Sequence, residues 1–78
     1  MESIRYSRFS GKDGRNWTNI VFINEKNVCQ WFGETEKTPI DIEKPYSINS
    51  IVTNGKYAVV NLVAEDNTAV SVFVKVII

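Results

Sequence analysis

The sequence contains no histidine and a single cysteine, Cys29. Histidine is the commonest general base and metal ligand, and one cysteine leaves neither a set of zinc ligands nor a partner for an intrachain disulfide. Serines are plentiful, but none has a histidine or a convincing lysine partner that could activate it as a nucleophile. The sequence therefore predicts a protein that is not an enzyme and that uses no metal or other cofactor.

Long apolar segments are also missing. No apolar stretch approaches the roughly 18 residues that a membrane-spanning helix needs, and the sequence shows no apolar core of a signal peptide. Cys29 lies in an apolar run, which favours a buried, inert thiol over a reactive one. We therefore expect a cytoplasmic protein that does not enter a membrane.

Neither sign of charge is in excess, because nine lysine and arginine residues balance nine aspartate and glutamate residues. That balance excludes a strongly basic protein that coats nucleic acid by charge alone, and equally an acidic mimic of DNA. The charges are unevenly distributed, since residues 1–15 are locally basic and residues 33–43 are locally acidic. The pattern indicates a surface with one basic end.

Apolar and polar residues alternate along almost the whole chain, and β-branched and aromatic residues dominate each apolar run. This period of two predicts strands and no helix. The predicted strands cover residues 2–10, 16–23, 28–32, 46–53, 56–64 and 69–77. Short turns join most of them, among which Asn54-Gly55 is typical of a tight hairpin. Residues 1–78 are thus predicted to form a single all-β domain, a small and mostly antiparallel barrel.

The last predicted hairpin is apolar on both sides. In its final strand, valines line one face, while Phe73 and Ile77 lie on the other. A strand with one solvated face should be polar on that face, and a free apolar edge would promote aggregation. We therefore expect barrel closure or a second subunit to cover this hairpin, and we predict a homodimer that associates through it.

Basic and aromatic residues are interleaved near the N-terminus, where Gly11 and Gly14 mark a turn. The basic residues are Arg5, Arg8, Lys12 and Arg15, and they stand among Tyr6, Phe9 and Trp17. A single-stranded nucleic acid requires positive charge for its phosphates and flat rings for its unstacked bases. The pattern therefore predicts electrostatic capture of single-stranded DNA or RNA, followed by stacking of bases on exposed rings.

Three segments follow the first strand: Ser10–Trp17, Ile20–Ile23 and Val28–Gly33. In their order they resemble a family of small phage-type single-stranded-DNA-binding proteins with an OB-like barrel. In this family, which includes the helix-destabilising proteins of filamentous phages, a loop with glycine and lysine follows the first strand and ends in an aromatic residue. A hairpin then carries stacking rings.

This resemblance assigns roles to individual residues. Those that match the gripping loop are Arg8, Lys12, Arg15 and Trp17. Phe22 and Trp31 match the stacking positions of the hairpin. The resemblance further implies non-sequence-specific binding of single-stranded DNA rather than RNA, by a dimer, in the replication or recombination of a phage or mobile element.

Two other interpretations stay open. The segment Gly55–Val59, followed by a hairpin and a valine-rich strand, resembles the tyrosine corner and closing strands of immunoglobulin-like β-sandwiches, with Trp31 as the buried tryptophan. The protein would then be an interaction or structural module. A small phage-encoded inhibitor of a host protein would also be short, neutral and rich in strands, with a contact patch in residues 33–45. Exposure of Trp17 and Trp31 separates nucleic-acid binding from the sandwich.

Overall fold

The computed structural model describes residues 2–78 and contains six strands in one curled, antiparallel half-barrel sheet. The strands are β1 (Ser3–Ser10), β2 (Asn16–Ile23), β3 (Val28–Glu34), β4 (Tyr46–Thr53), β5 (Tyr57–Ala64) and β6 (Ala69–Val76). The only helical element among the described residues is a single 3-10 turn, η1 (Thr35–Lys37). The predicted all-β fold is confirmed, and the predicted strands differ from the observed ones only at their ends. No helix of residues 2–78 has the length and apolarity to span a membrane.

The order of strands in the sheet is β1-β2-β3-β6-β5-β4, so the last strand of the chain lies beside β3. A simple meander, the arrangement that the short turns predict, would instead place β4 there. The physical reason for the difference is the character of the two strands. The inward side chains of β6 are valines that need cover, whereas β4 carries Ser47, Asn49 and Ser50 and tolerates an edge position.

Pairing between β3 and β6 is short. The ladder contains only Cys29 with Val76 and Gln30 with Lys75. Next to the Cys29–Val76 pair, the amide of Ile77 donates a hydrogen bond of 2.8 Å to the carbonyl of Val28. The apolar C-terminal edge is therefore paired within the chain. Beyond the Gln30–Lys75 pair, β3 and β6 form no further backbone pairs with each other.

The hydrophobic core lies on the concave side of the sheet. Its buried residues are Ile20, Phe22, Cys29, Ile40, Ile48, Ala58, Val60, Leu62, Val72 and Val74. Ile40 belongs to the connection between β3 and β4, where it is 7% exposed. That connection therefore packs an apolar side chain against the half-barrel, which has too few residues to bury a core by strand closure alone.

A buried hydroxyl pair anchors the start of this connection. Thr18 is fully buried on β2, and its Oγ1 lies 2.9 Å from Oγ1 of Thr35 in η1. A buried hydroxyl that lacked a partner would cost about 1–3 kcal/mol. The pair therefore holds η1 against the end of β2.

The buried thiol of Cys29 yields a direct test of the core. The side chain is fully buried, and burial raises the pKa of the thiol above its usual value. Because the thiolate is the reactive form, we expect an aromatic disulfide reagent to label the native protein at least about 100-fold more slowly than the urea-unfolded protein. Absorbance of the released thiolate measures both rates. Fast labelling of the native protein would contradict this core.

The immunoglobulin-like sandwich fold is wrong, because such domains pack two sheets face to face and residues 2–78 form a single sheet. Tyr57, the residue expected at a tyrosine corner, is 49% exposed and stacks on Phe73. Trp31 is half-buried and packs against the core without being sealed in it.

Candidate nucleic-acid interface

The side of the sheet opposite the core, here called the outer face, carries an unusual number of aromatic and polar side chains. Alternation along the strands places on it Arg5, Phe9, Trp17, Asn19, Gln30, Phe32, Tyr57, Asn61, Ser71, Phe73 and Lys75. Large rings on the solvent side of a sheet gain little from the core. The outer face is therefore the candidate binding surface.

Three rings form one cluster at the end of the outer face next to the turn between β1 and β2. Phe9 lies opposite Trp17 in the β1–β2 register. Phe32 of β3 stacks on Trp17, with ring centroids 5.4 Å apart and an angle of 3° between the planes. It also stacks on Phe9 at 6.0 Å. We call these residues the N-terminal ring cluster, of which Phe9 is 50% and Phe32 53% exposed.

The turn between β1 and β2 holds Trp17 in this position. The amide of Gly11 donates to the carbonyl of Arg15 at 2.7 Å, and Gly14 has a φ of +84°, which favours glycine. A Cβ added at Gly11 would lie only 2.8 Å from Nε1 of Trp17. The missing side chain at Gly11 therefore makes room for the indole.

Replacing Gly11 by alanine should displace Trp17 and shift its fluorescence emission, because the new methyl group overlaps the indole. The loss of stability should be about 1 kcal/mol. A Trp31→Phe background leaves Trp17 as the sole tryptophan, which can be excited selectively, and urea unfolding measures stability. The matched control is Gly14→Ala, which strains a left-handed backbone by about 1–2 kcal/mol but adds a Cβ in open space. Identical Trp17 spectra in both variants would contradict the close contact.

Arg15 lies beside the ring cluster, and it is already paired. Its Nη1 lies 3.2 Å from Oε1 of Glu34, and its Nε lies 3.4 Å from Oδ2 of Asp13. Glu34 is opposite Trp17 in the β2–β3 register, so the guanidinium lies along the edge of the cluster. Exposed pairs of this kind contribute only about 0–1 kcal/mol, so a phosphate could compete for Arg15.

The other predicted cations do not all lie together. Arg5 is exposed on the outer face, and Lys12 is exposed in the turn. Arg8 alternates with Phe9 and lies on the opposite side of β1, where it lines a cavity with Asp41 and Glu43. The structure therefore brings Arg5, Lys12 and Arg15 to the side or the end of the sheet that carries the rings, and separates Arg8 from them.

Two of the predicted stacking residues point away from the outer face. Phe22 is fully buried in the core, so it offers no ring surface to a base. Trp31 lies on the concave side, where its Cη2 is 2.9 Å from the position that a Cβ of Gly33 would take. The ring that the sequence reasoning left out of the site is Phe32. Alternation from Cys29, the core residue of β3, is the signal that could have found it.

Carboxylates are almost absent from the strands. Among residues 2–78 the strands contain one acidic side chain, Glu34, which is the ion-pair partner of Arg15. The remaining acidic residues lie in turns, connections and at the N-terminus. Arg5 and Lys75, by contrast, are exposed cations within outer-face strands and make no ion pair in the described part of the chain. The local charge of the outer face is therefore positive although the net charge is zero.

Amides and hydroxyls cover the surface between the rings. Nε2 of Gln30 donates to Oδ1 of Asn19 at 2.7 Å. On the other half of the sheet, Oγ of Ser71 donates to Oδ1 of Asn61 at 2.7 Å, and Nδ2 of Asn61 donates to Oγ of Ser50 at 2.9 Å. Side chains tied in this way present a polar surface that their mutual hydrogen bonds hold in place.

The titrating groups with shifted pKa values lie off the outer face. Burial, followed by the nearby Tyr46 and Asp41, raises the pKa of Tyr6 on the concave side. Hydrogen bonds from Thr68 lower the pKa of Asp66 in the β5–β6 turn. In residues 2–78, no three acidic or cysteine side chains are grouped as metal ligands.

Comparison with known proteins returns no relative. No protein-family model, no curated protein and no solved structure matches this chain significantly.

Proposed function

We propose that this protein binds single-stranded nucleic acid on its outer face, without sequence specificity and with DNA preferred over RNA. The observation that carries the proposal is the N-terminal ring cluster, whose exposed rings lie beside a basic turn. The strands of this face contain one carboxylate, Glu34, and it is already paired with Arg15. Stacking on such rings accepts any base, because every base has a π-face.

The cluster suits stacking better than core packing. Phe32 and Phe9 each expose about half of their surface, and Phe32 is already parallel to the indole of Trp17. A base that covers these rings buries apolar area that water otherwise contacts. Stacking on protein rings contributes about 1–3 kcal/mol per base.

The position of the cluster in the fold also supports the proposal. OB-type barrels bind oligonucleotides on the face of their second and third strands and with the loop between the first and second. Here Trp17 lies on β2, Phe32 on β3 and Lys12 in the β1–β2 turn. Half-barrel geometry is compatible with an OB-like barrel, so the same surface is the natural place for a ligand.

The test is a titration of tryptophan fluorescence with oligo-dT at low salt, repeated at high salt. We expect saturable quenching that weakens as salt rises, because each phosphate contact contributes a slope of about −0.7 in log K against log salt. Oligo-U of equal length compares RNA with DNA, and a duplex of equal length controls for charge. Unchanged fluorescence at micromolar protein, together with no comigration with the labelled strand, would refute the proposal.

Exposed apolar side chains favour a protein partner as the second candidate. They include Val52, Phe73, Ile77 and Ile78, all on the half of the sheet formed by β4–β6 and the residues after it. A homodimer through the C-terminal hairpin and a host protein that a phage-encoded inhibitor would occupy both remain predictions. Light scattering across a range of protein concentration measures the homodimer directly.

A further inference from the structure

A second pair of exposed rings lies on the same outer face. Tyr57 of β5 and Phe73 of β6 are stacked, with centroids 6.0 Å apart and an angle of 10° between the planes. Tyr57 is 49% and Phe73 70% exposed, so neither ring is held in place by the core. A groove of about 270 Å³ runs beside the pair, between Val52 and Phe73. We call Tyr57 and Phe73 the C-terminal ring pair.

The strand register connects this pair to the basic residues of the outer face. Tyr57 is opposite Lys75, and Lys75 is opposite Gln30. Gln30 is opposite Val21, which is opposite Arg5. One row of neighbouring positions therefore crosses the sheet with Arg5 at one end, Lys75 next to the rings, and no carboxylate between them.

The two sets of rings flank the place where β3 and β6 stop pairing. Phe32 and Phe73 each lie two positions beyond the Gln30–Lys75 pair, on strands that have no further ladder between them. The N-terminal ring cluster is thus on the β3 side of this opening and the C-terminal ring pair on the β6 side. A chain of bases that leaves one set can reach the other across a single surface.

We propose that the C-terminal ring pair is a second base-stacking site, so that one strand of nucleic acid crosses the outer face from the N-terminal ring cluster past Gln30 and Lys75 to Tyr57 and Phe73. This inference rests on the proposed function. The occupant follows from charge, because Lys75 lies on the path, Arg5 lies in the same row on β1, and the one carboxylate of the strands is paired. It also follows from shape, because parallel exposed rings with polar neighbours accept a base and leave its phosphate beside a cation.

The experiment compares two lengths of oligo-dT, about 4 and about 12 nucleotides, which bracket the span of one or both ring sets. We expect Phe73→Leu, which keeps apolar area and removes the π-face, to weaken binding of the long strand about 5- to 100-fold. Binding of the short strand, read from Trp17, should change less than about 2-fold. Phe73→Trp, which keeps a π-face at this position, should bind the long strand as tightly as the unmodified protein does. Ile78→Ala removes an exposed apolar side chain that lies outside the groove and both ring sets, and it should leave both affinities unchanged.

Lys75 supplies an independent measurement. Its replacement by glutamine should reduce the salt slope for the long strand by about 0.7 and leave the slope for the short strand unchanged, because one phosphate contact is lost. The matched control is Lys26→Gln, an exposed lysine in the β2–β3 turn, which lies outside the row that crosses the sheet.

The outcomes separate this inference from the proposed function. If neither length of oligo-dT binds the unmodified protein, the proposed function fails and the inference fails with it. If both lengths bind and Phe73→Leu leaves the ratio of their affinities unchanged, only the second site is refuted. If the protein instead dimerises and Phe73→Ala abolishes dimerisation while long-strand binding persists, a second copy occupies the ring pair, and the second site is again refuted.

Discussion

Replacing Phe22 by alanine is expected to remove a large fraction of the free energy of unfolding of the protein. The ring is fully buried among other core side chains. Truncation of such a side chain lowers the free energy of unfolding by about 3–5 kcal/mol. A domain of this length has a total free energy of unfolding of roughly 4–12 kcal/mol, so the loss is a large fraction of it. Urea titration followed by circular dichroism measures the change.

The conservative variant Phe22→Leu tests the role that the resemblance to phage proteins assigned to this residue. Leucine keeps most of the volume, so the variant should fold with a loss of less than about 1.5 kcal/mol. Because Phe22 has no exposed surface, Phe22→Leu should bind oligo-dT as the unmodified protein does. If the Phe22→Leu protein folds but does not bind oligo-dT, Phe22 is a stacking residue after all.

The second large effect is expected at Phe32. Its ring contacts both Trp17 and Phe9, so Phe32→Ala removes the centre of the N-terminal ring cluster. We expect binding of short and long oligo-dT to weaken about 10- to 100-fold, which corresponds to roughly 1.4–2.7 kcal/mol and lies within the range for one stacked base. Fluorescence anisotropy of a labelled strand measures it without relying on Trp17.

Stability separates the two phenylalanines. Phe32 is 53% exposed, so Phe32→Ala should lower the free energy of unfolding by about 1 kcal/mol or less, whereas Phe22→Ala should lower it by about 3–5 kcal/mol. Phe32→Tyr keeps the π-face and should bind almost normally. If folded Phe32→Ala protein binds oligo-dT with unchanged affinity, the ring cluster is not the binding surface.

The strands could be predicted because their signals are local. Alternation of apolar and polar residues identified β2 and β4 with the observed bounds, and Asn54-Gly55 marked the β4–β5 turn. Ends of strands were harder, since β3 continues through Gly33 and Glu34 by pairing with β2. That extension depends on Thr18 and Trp17 being opposite those residues, which no local pattern contains.

The candidate site was predicted in part. Alternation separates Phe32 from Trp31 on β3, and the expected burial of Cys29 was the one local signal for which of the two faces the core. In the fold, the partner strands β2 and β6 place their buried residues on the side of Cys29, and Phe32 consequently points outward. Trp17 was identified because the glycine turn precedes it, whereas Phe22 was assigned by the resemblance, which does not say which side of β2 faces the core.

The sequence by itself determined the set of strands and their turns. It also determined that the chain has no histidine and only one cysteine. These depend on residue types and on spacing within a few positions. Tertiary structure decided that β6 lies beside β3, that Arg15 is paired with Glu34, and that Phe32, Tyr57 and Phe73 share one face. Each of these facts joins residues that are distant in the chain. Such contacts follow from the joint burial of all the strands, which no single segment specifies.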